Sequence, residues 1–116
     1  MAVTNDSFQG TLEGTDYGDN VDYDGGSREK LETGRYDYTL TITDGKVSFK
    51  VQAREFEGND SWVTVEEKQK IRDGSILNGS FDAESPPDNE ATVRFNFNRE
   101  FASSKGAYEL EFHKVS

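Results

Sequence analysis

The chain has 116 residues, a length typical of one domain, and 23 acidic against 13 basic residues give it a formal net charge of −10. Nucleic-acid binding and attachment to an anionic membrane both need clustered Lys and Arg, so this charge balance argues against both. Cysteine is absent and histidine occurs once, which excludes disulfides, thiolate catalysis and multi-His metal centres. The apolar runs are far shorter than the ~20 residues of a transmembrane helix.

The first 35 residues are rich in glycine and acid and poor in apolar side chains. This composition predicts an acidic arm or, from Phe8 to Leu12, an edge strand. The main strands are expected over residues 36–115.

The segment from Tyr36 to Ala53 predicts a β-hairpin. Apolar and polar residues alternate on both sides of Asp44-Gly45, a dipeptide that favours a two-residue type I′ turn. Such a turn would place Ile42 opposite Val47, so that inward-facing residues of the two strands meet.

Further strands and turns are predicted at short spacing along the rest of the chain. Asp73-Gly74 and Asn78-Gly79 are both hairpin-type turns, of which one is expected to be used. The proline pair in Pro86-Pro87-Asp88-Asn89 predicts a connection, because proline cannot donate to a strand ladder. Strands are expected at Ser80 to Ala83, Ala91 to Phe97 and Tyr108 to Phe112. Another begins at Trp62-Val63-Thr64-Val65, and the polar stretch from Glu66 to Lys70 fits equally well an extension of that strand to Ile71 or a loop.

Several alternating strands and no helical period predict one all-β domain over residues 1–116, an antiparallel β-sandwich of about seven strands. The inward positions of the predicted strands define its expected core. That core consists of Tyr38, Leu40, Ile42, Val47, Phe49, Val51, Val93, Phe95, Phe97, Leu110 and Phe112.

One acidic segment has the spacing of a calcium loop. Asn20, Asp22 and Asp24 alternate ahead of Gly25, which fits the first half of the pattern [DN]-x-[DN]-x-[DN]-G. Alternate oxygens in a tight loop can converge on one large, hard cation, and Asp16 and Asp19 are near enough in sequence to add ligands. The segment therefore predicts a Ca²⁺ site.

The second half of the calcium pattern is missing. The twelfth loop position is Leu31, where a bidentate Glu would be needed. The alternative is a solvated acidic turn without metal.

Three aromatic residues are candidates for ligand contact. Tyr17 and Tyr23 lie in the polar, glycine-rich segment, which is typical of recognition surfaces. Trp62 stands at the start of a predicted strand, where it can contact a ligand or belong to the core.

The sequence contains no pattern of a nucleophile with a base, so we expect no enzymatic activity. We predict a non-catalytic binding module that recognises a glycan or a protein surface through loops at one end, with calcium as a candidate cofactor. A structural or assembly subunit of a surface, fibre or virion is the first alternative.

A second alternative comes from a resemblance. The chain resembles the strand sequence of aegerolysin- and actinoporin-type β-sandwiches in the order of four segments: Val63 to Ile71, Asn78-Gly79-Ser80-Phe81-Asp82, Val93-Arg94-Phe95-Asn96-Phe97 and Tyr108 to Phe112. The resemblance implies a protein that binds membrane lipids. The chain lacks the Trp- and Pro-rich loops of those families, and no site residue is carried over from them.

Overall fold

The structure is a computed structural model that describes residues 2–54, 61–84 and 89–116. These residues contain strands and no helix. In chain order the strands are β1 (Asn5–Glu13), β2 (Gly18–Tyr23), β3 (Leu31–Glu32), β4 (Gly34–Arg54), β5 (Trp62–Arg72), β6 (Ile76–Ala83), β7 (Glu90–Ala91), β8 (Val93–Arg99) and β9 (Lys105–Lys114).

The strands form two antiparallel layers. One layer has the order β1-β9-β4-β6 and the other the order β2-β8-β4-β5, and each uses a different half of β4. The short strands β3 and β7 pair with each other. The pairs β1/β2, β5/β6 and β9/β8 each cross from one layer to the other, which is jelly-roll topology. The predicted antiparallel β-sandwich is thus confirmed.

The predicted hairpin at Asp44-Gly45 is wrong. Strand β4 is continuous from Gly34 to Arg54, and its two halves do not pair with each other. Ile42 pairs with Tyr108 in one layer, whereas Val47 pairs with Arg99 in the other. The dipeptide instead forms a bulge in β4, with a register shift against β9 between Ile42 and Asp44. A bulge and a hairpin turn both shift the inward positions from even to odd residues, so the sequence pattern does not distinguish them.

The turn between β5 and β6 lies against the bulge of β4. Of the two candidate dipeptides, Asp73-Gly74 forms the turn and Asn78-Gly79 lies inside β6. The amides of Asp73 and Gly74 donate to the carbonyls of Gly45 and Ile42, so β5 and β6 turn beside the bulge of β4. Of the predicted Pro86–Asn89 connection, residues 86–88 lie outside the described residues.

The first 35 residues belong to the sandwich rather than to a separate arm. The segment from Phe8 to Leu12 lies within β1, which pairs with β9 at one edge of its layer. Leu12, Val21 and Leu31 contribute buried side chains to the core.

The core lies between the two layers and is rich in aromatic rings. All eleven residues predicted for it are buried. Phe97 and Tyr108 stack across the layers with ring centroids 3.7 Å apart, and Phe95 stacks on Phe112 at 5.2 Å. Aromatic pairs of this kind add about 0.5–1.5 kcal/mol each beyond the burial of apolar area.

Candidate functional site

The predicted calcium loop contains a strand. Asn20 and Asp22 lie in β2, where they alternate with the buried residues Val21 and Tyr23 and therefore face outward. The carboxylate of Asp22 accepts hydrogen bonds from the Arg94 guanidinium at 2.8 and 3.3 Å. The alternating acidic spacing is thus the two-residue period of a strand.

The other candidate ligands are held at different places. Asp24 accepts a hydrogen bond from the amide of Gly26 in a tight turn. Asp19 accepts one from the hydroxyl of Tyr108, and Asp16 lies in the β1–β2 loop. Within residues 2–54, 61–84 and 89–116, no three His, Cys, Asp or Glu side chains are grouped so that they could hold a metal ion. Calcium binding in this segment stays a prediction.

Tyr23 is not a surface residue, and its assignment as a ligand-contact residue is wrong. Its relative exposure is 0% because it occupies an inward position of β2, a strand that the polar composition of the segment concealed. Its hydroxyl donates to Asp6 at 2.8 Å. Burial, and then the hydrogen bond to Asp6, raise the pKa of Tyr23 well above its ordinary value.

Trp62 lies on the outer face of the β2-β8-β4-β5 layer rather than in the core. The guanidinium carbon of Arg94 is 4.2 Å from the centre of its ring, and that of Arg54 is 5.3 Å away. Two cations therefore share the ring through cation–π contacts. A ligand role for Trp62 stays a prediction.

Tyr17 lies at one end of the sandwich beside Phe101, which no sequence pattern marked as a candidate. Phe101 is 85% exposed and Tyr17 46% exposed, and their rings are nearly parallel at 13° with centroids 5.9 Å apart. Phe101 stands next to the small, polar run from Ala102 to Ser104, which is the sequence signal of a loop. An aromatic residue in such a loop was the signal that could have identified it.

Four connections meet at this end, which we call the turn end and define as residues 13–17, 44–46, 70–75 and 99–105. They belong to the β1–β2 loop, the bend of β4, the β5–β6 turn and the β8–β9 loop. The amide of Glu100 donates to the carbonyl of Lys46, which joins the β8–β9 loop to β4. Lys105 lies 4.0 Å from both Glu13 and Asp44.

Arg99 connects the loops that carry the two exposed rings. It is only 7% exposed, at the inward end of β8, where an alternating pattern would place an apolar residue. Its terminal nitrogens donate to the carbonyls of Ser104 at 2.7 Å and Gly14 at 2.9 Å. Its guanidinium carbon lies 4.3 Å from the centre of the Tyr17 ring. One buried side chain thus holds both loops and supports Tyr17.

The net charge is unevenly distributed between the turn end and the rest of the chain. The four segments of the turn end contain five acidic and five basic residues, so they carry no net charge. The whole formal charge of −10 lies in the rest of the chain. A ligand that approaches the turn end therefore meets less net negative charge than it would meet at the rest of the molecule.

A groove crosses the outer face of the β1-β9-β4-β6 layer. Its volume is about 500 Å³. Polar side chains line most of it: Ser7, Gln9, Thr39, Thr41, Glu109 and Glu111. These residues are the outward positions of three neighbouring strands, and outward polar residues are ordinary for a solvated sheet face.

The part of the chain that the structure describes contains no helix long and apolar enough to cross a membrane. No protein-family profile matches the sequence, and no curated protein matches it at a significant level.

Solved structures match this chain at low sequence identity. The Yersinia pseudotuberculosis-derived mitogen is 11% identical, with a TM-score of 0.56 over 98% of this chain and 89% of that chain. The CBM22-1 and GH10 modules of a Clostridium thermocellum endo-1,4-beta-D-xylanase, complexed with xylohexaose, are 13% identical, with a TM-score of 0.45 over 97% of this chain and 26% of that one. The structure of infectious bursal disease virus, Gt strain, is 9% identical, with a TM-score of 0.40 over 97% of this chain and 31% of that chain. The similarity to the mitogen shows the β-sandwich fold and nothing about function.

Proposed function

We propose that this protein is a non-catalytic binding module that contacts a glycan or a protein surface through its turn end. The observation that carries the proposal is the exposure of the Phe101 ring, at 85%. This ring stacks on Tyr17, whose own ring is in contact with the buried guanidinium of Arg99. No catalytic step is part of the proposal. A non-catalytic binding or assembly role is compatible with the fold.

The physical support is the combination of exposure and rigidity. An aromatic ring at the surface is available to a ligand, and aromatic residues dominate the binding energy of many interfaces. Because Arg99 fixes both loops before binding, less conformational entropy is lost when the ligand binds.

The edges of the sheets give less support to an assembly role than to a binding role. On each of three edge strands, a carboxylate accepts a hydrogen bond from the backbone amide of the next residue. The pairs are Asp6 with Ser7, Asp19 with Asn20 and Glu66 with Glu67. An occupied amide beside a negative charge disfavours the addition of a strand from another chain. We therefore expect a monomer in size-exclusion chromatography with light scattering. A stable oligomer at micromolar concentration would favour the assembly role instead.

Calcium assistance is tested separately. If the segment binds calcium, the melting temperature rises in millimolar calcium and returns with a chelator, and the double substitution Asp22→Asn with Asp24→Asn removes the response. Asp82→Asn, which changes an exposed carboxylate paired with Arg35, is the matched control. Identical melting curves with calcium and with chelator would leave a solvated acidic turn.

The binding role is tested with the purified chain on arrays of immobilised glycans and surface proteins, with and without calcium. We expect binding that Phe101→Ala and Tyr17→Ala reduce at least tenfold. Val63→Ala, at a similarly exposed apolar position on β5, should leave it unchanged. Vesicles of phosphatidylcholine, with and without phosphatidylserine, test the lipid-binding alternative. Equal binding by all three variants, or pelleting with vesicles alone, would contradict the proposal.

A further inference from the structure

The size of the exposed aromatic surface limits the kind of ligand. A stable protein–protein interface buries at least about 1,000 Å² in total. The large exposed apolar side chains within the four segments of the turn end are the two rings of Tyr17 and Phe101. Two rings suit a ligand with one flat, ring-sized apolar face better than a broad protein surface.

The residues that precede Tyr17 and Phe101 in the sequence argue for a hydroxylated ligand. Asp16 precedes Tyr17 and Glu100 precedes Phe101, and neither carboxylate forms an ion pair with another described residue. A carboxylate one residue before each ring, without an ion-pair partner among the described residues, opposes insertion of this end into lipid, because a charged group is costly in the bilayer. The same carboxylates are strong hydrogen-bond acceptors for hydroxyl groups.

The exposure of Phe101 indicates how such a ligand would bind. A ring that is 85% exposed projects from the surface, and because Phe101 stacks on Tyr17 on one side, its other side is open to a ligand. The apolar face of a sugar ring can lie against it while hydroxyls at the edge of the sugar reach the carboxylates. A chain end presents such a face more freely than the interior of a polymer.

We propose that the turn end binds one neutral, terminal sugar ring of a glycan, which stacks on Phe101 and Tyr17 and donates hydroxyl hydrogen bonds to Asp16 and Glu100. This inference rests on the proposed binding role of the turn end and specifies its ligand. Acidic sugars bind more weakly, because the two unpaired carboxylates repel them.

The inference is tested by nuclear magnetic resonance with the full chain. The probes are the methyl glycosides of glucose, galactose, mannose and N-acetylglucosamine, and methyl glucuronide is the acidic comparison. A ligand of this size suggests a dissociation constant on the order of 1 mM. At least one neutral glycoside should shift the ring resonances of Tyr17 and Phe101 and leave those of Trp62 in place.

Variants separate stacking from hydrogen bonding. Phe101→Ala should abolish the shifts of Tyr17, Phe101→Tyr should keep them, and Asp16→Asn with Glu100→Gln should weaken binding at least threefold. Val63→Ala is the matched control, and unchanged melting temperatures show that each variant is folded.

The outcomes distinguish this inference from the proposed function. If the arrays show binding that depends on Phe101 but no glycoside shifts the rings, the turn end binds a different ligand and the sugar inference is wrong. Stronger binding of methyl glucuronide than of every neutral glycoside also overturns it. If Phe101→Ala has no effect on any array, both proposals fail.

Discussion

At the scale of single residues, Arg99 has a structural effect that can be measured. It is a buried cation that donates to the carbonyls of Gly14 and Ser104 and has no carboxylate partner among the described residues. Hydrogen bonds from charged groups contribute about 1.5–3 kcal/mol each, and the cost of burying the charge offsets part of this.

We therefore expect Arg99→Met to lower the free energy of unfolding by about 2–3 kcal/mol in urea denaturation. Arg35→Met is the control, because Arg35 and Asp82 form an ion pair with both side chains more than half exposed. Such a pair contributes at most about 1 kcal/mol. Equal losses in the two variants would show that Arg99 does not hold the loops.

Because of Tyr36, the free energy of unfolding depends on pH in the alkaline range. Burial, and then the nearby charge of Glu32, raise its pKa from 10.0 to about 12. The folded state therefore keeps a proton that the unfolded state loses above pH 10. The stabilisation is complete below pH 10 and is lost as the pH rises towards 12, by about 1.4 kcal/mol per pH unit.

Urea denaturation between pH 9 and 12 tests this assignment. The free energy of unfolding of Tyr36→Phe should fall less steeply above pH 10 than that of the original chain. Parallel slopes for the two proteins would contradict the assignment. Burial also raises the pKa of Tyr23, Tyr38 and Tyr108, so a decline remains in the variant.

At the scale of elements, Gly45 distinguishes a bent strand from a hairpin. Its φ is 67°, and a Cβ there would lie 1.7 Å from the carbonyl oxygen of Lys105. The close neighbour belongs to β9, a contact that the predicted hairpin did not contain. Gly74 also has a positive φ, of 86°, but a Cβ there meets nothing within 4 Å.

We expect Gly45→Ala to cost about 3 kcal/mol or more and Gly74→Ala about 1 kcal/mol, measured by urea denaturation. The difference is the steric conflict with β9. If the two substitutions cost the same, β4 does not pass Lys105 as a continuous strand.

The same elements show what the sequence could predict. Alternation identified the inward residues of β4, β8 and β9, because that period is a local property of the chain. The partners of β4 were missed, because they depend on contacts far apart in sequence. Strand β2 was missed because its acidic outward residues matched half of a calcium motif, although Val21 and Tyr23 alternate with them.

The candidate site was predicted only in part. Tyr17 and a position in loops at one end were predicted, and their role in binding stays a proposal. Phe101 and Arg99 were missed, because each acts through its neighbours in space rather than through a motif. A charged residue at the inward position 99 was the local sign that this end differs from an ordinary sheet.

At the scale of the whole molecule, the distribution of charge and the protection of the sheet edges both disfavour contact between two copies through their sheets. The turn end has no net charge, while the rest of the chain carries the formal charge of −10. Three edge carboxylates also accept the hydroxyls of buried tyrosines: Asp6 from Tyr23, Asp19 from Tyr108 and Glu66 from Tyr38. These contacts fix acidic groups at the sheet edges, so two copies approach each other least unfavourably through their turn ends.

The central claim is that ligands bind at the turn end, and hydrogen–deuterium exchange with a glycan or protein selected on the arrays tests it most directly. Binding should slow exchange in residues 14–17 and 99–104, whose loops Arg99 joins. Exchange in β1, β4 and β9 beneath the 500 Å³ groove should stay as in the free protein. Protection of those strands, with the two loops unchanged, would contradict the account and place the ligand on the sheet face.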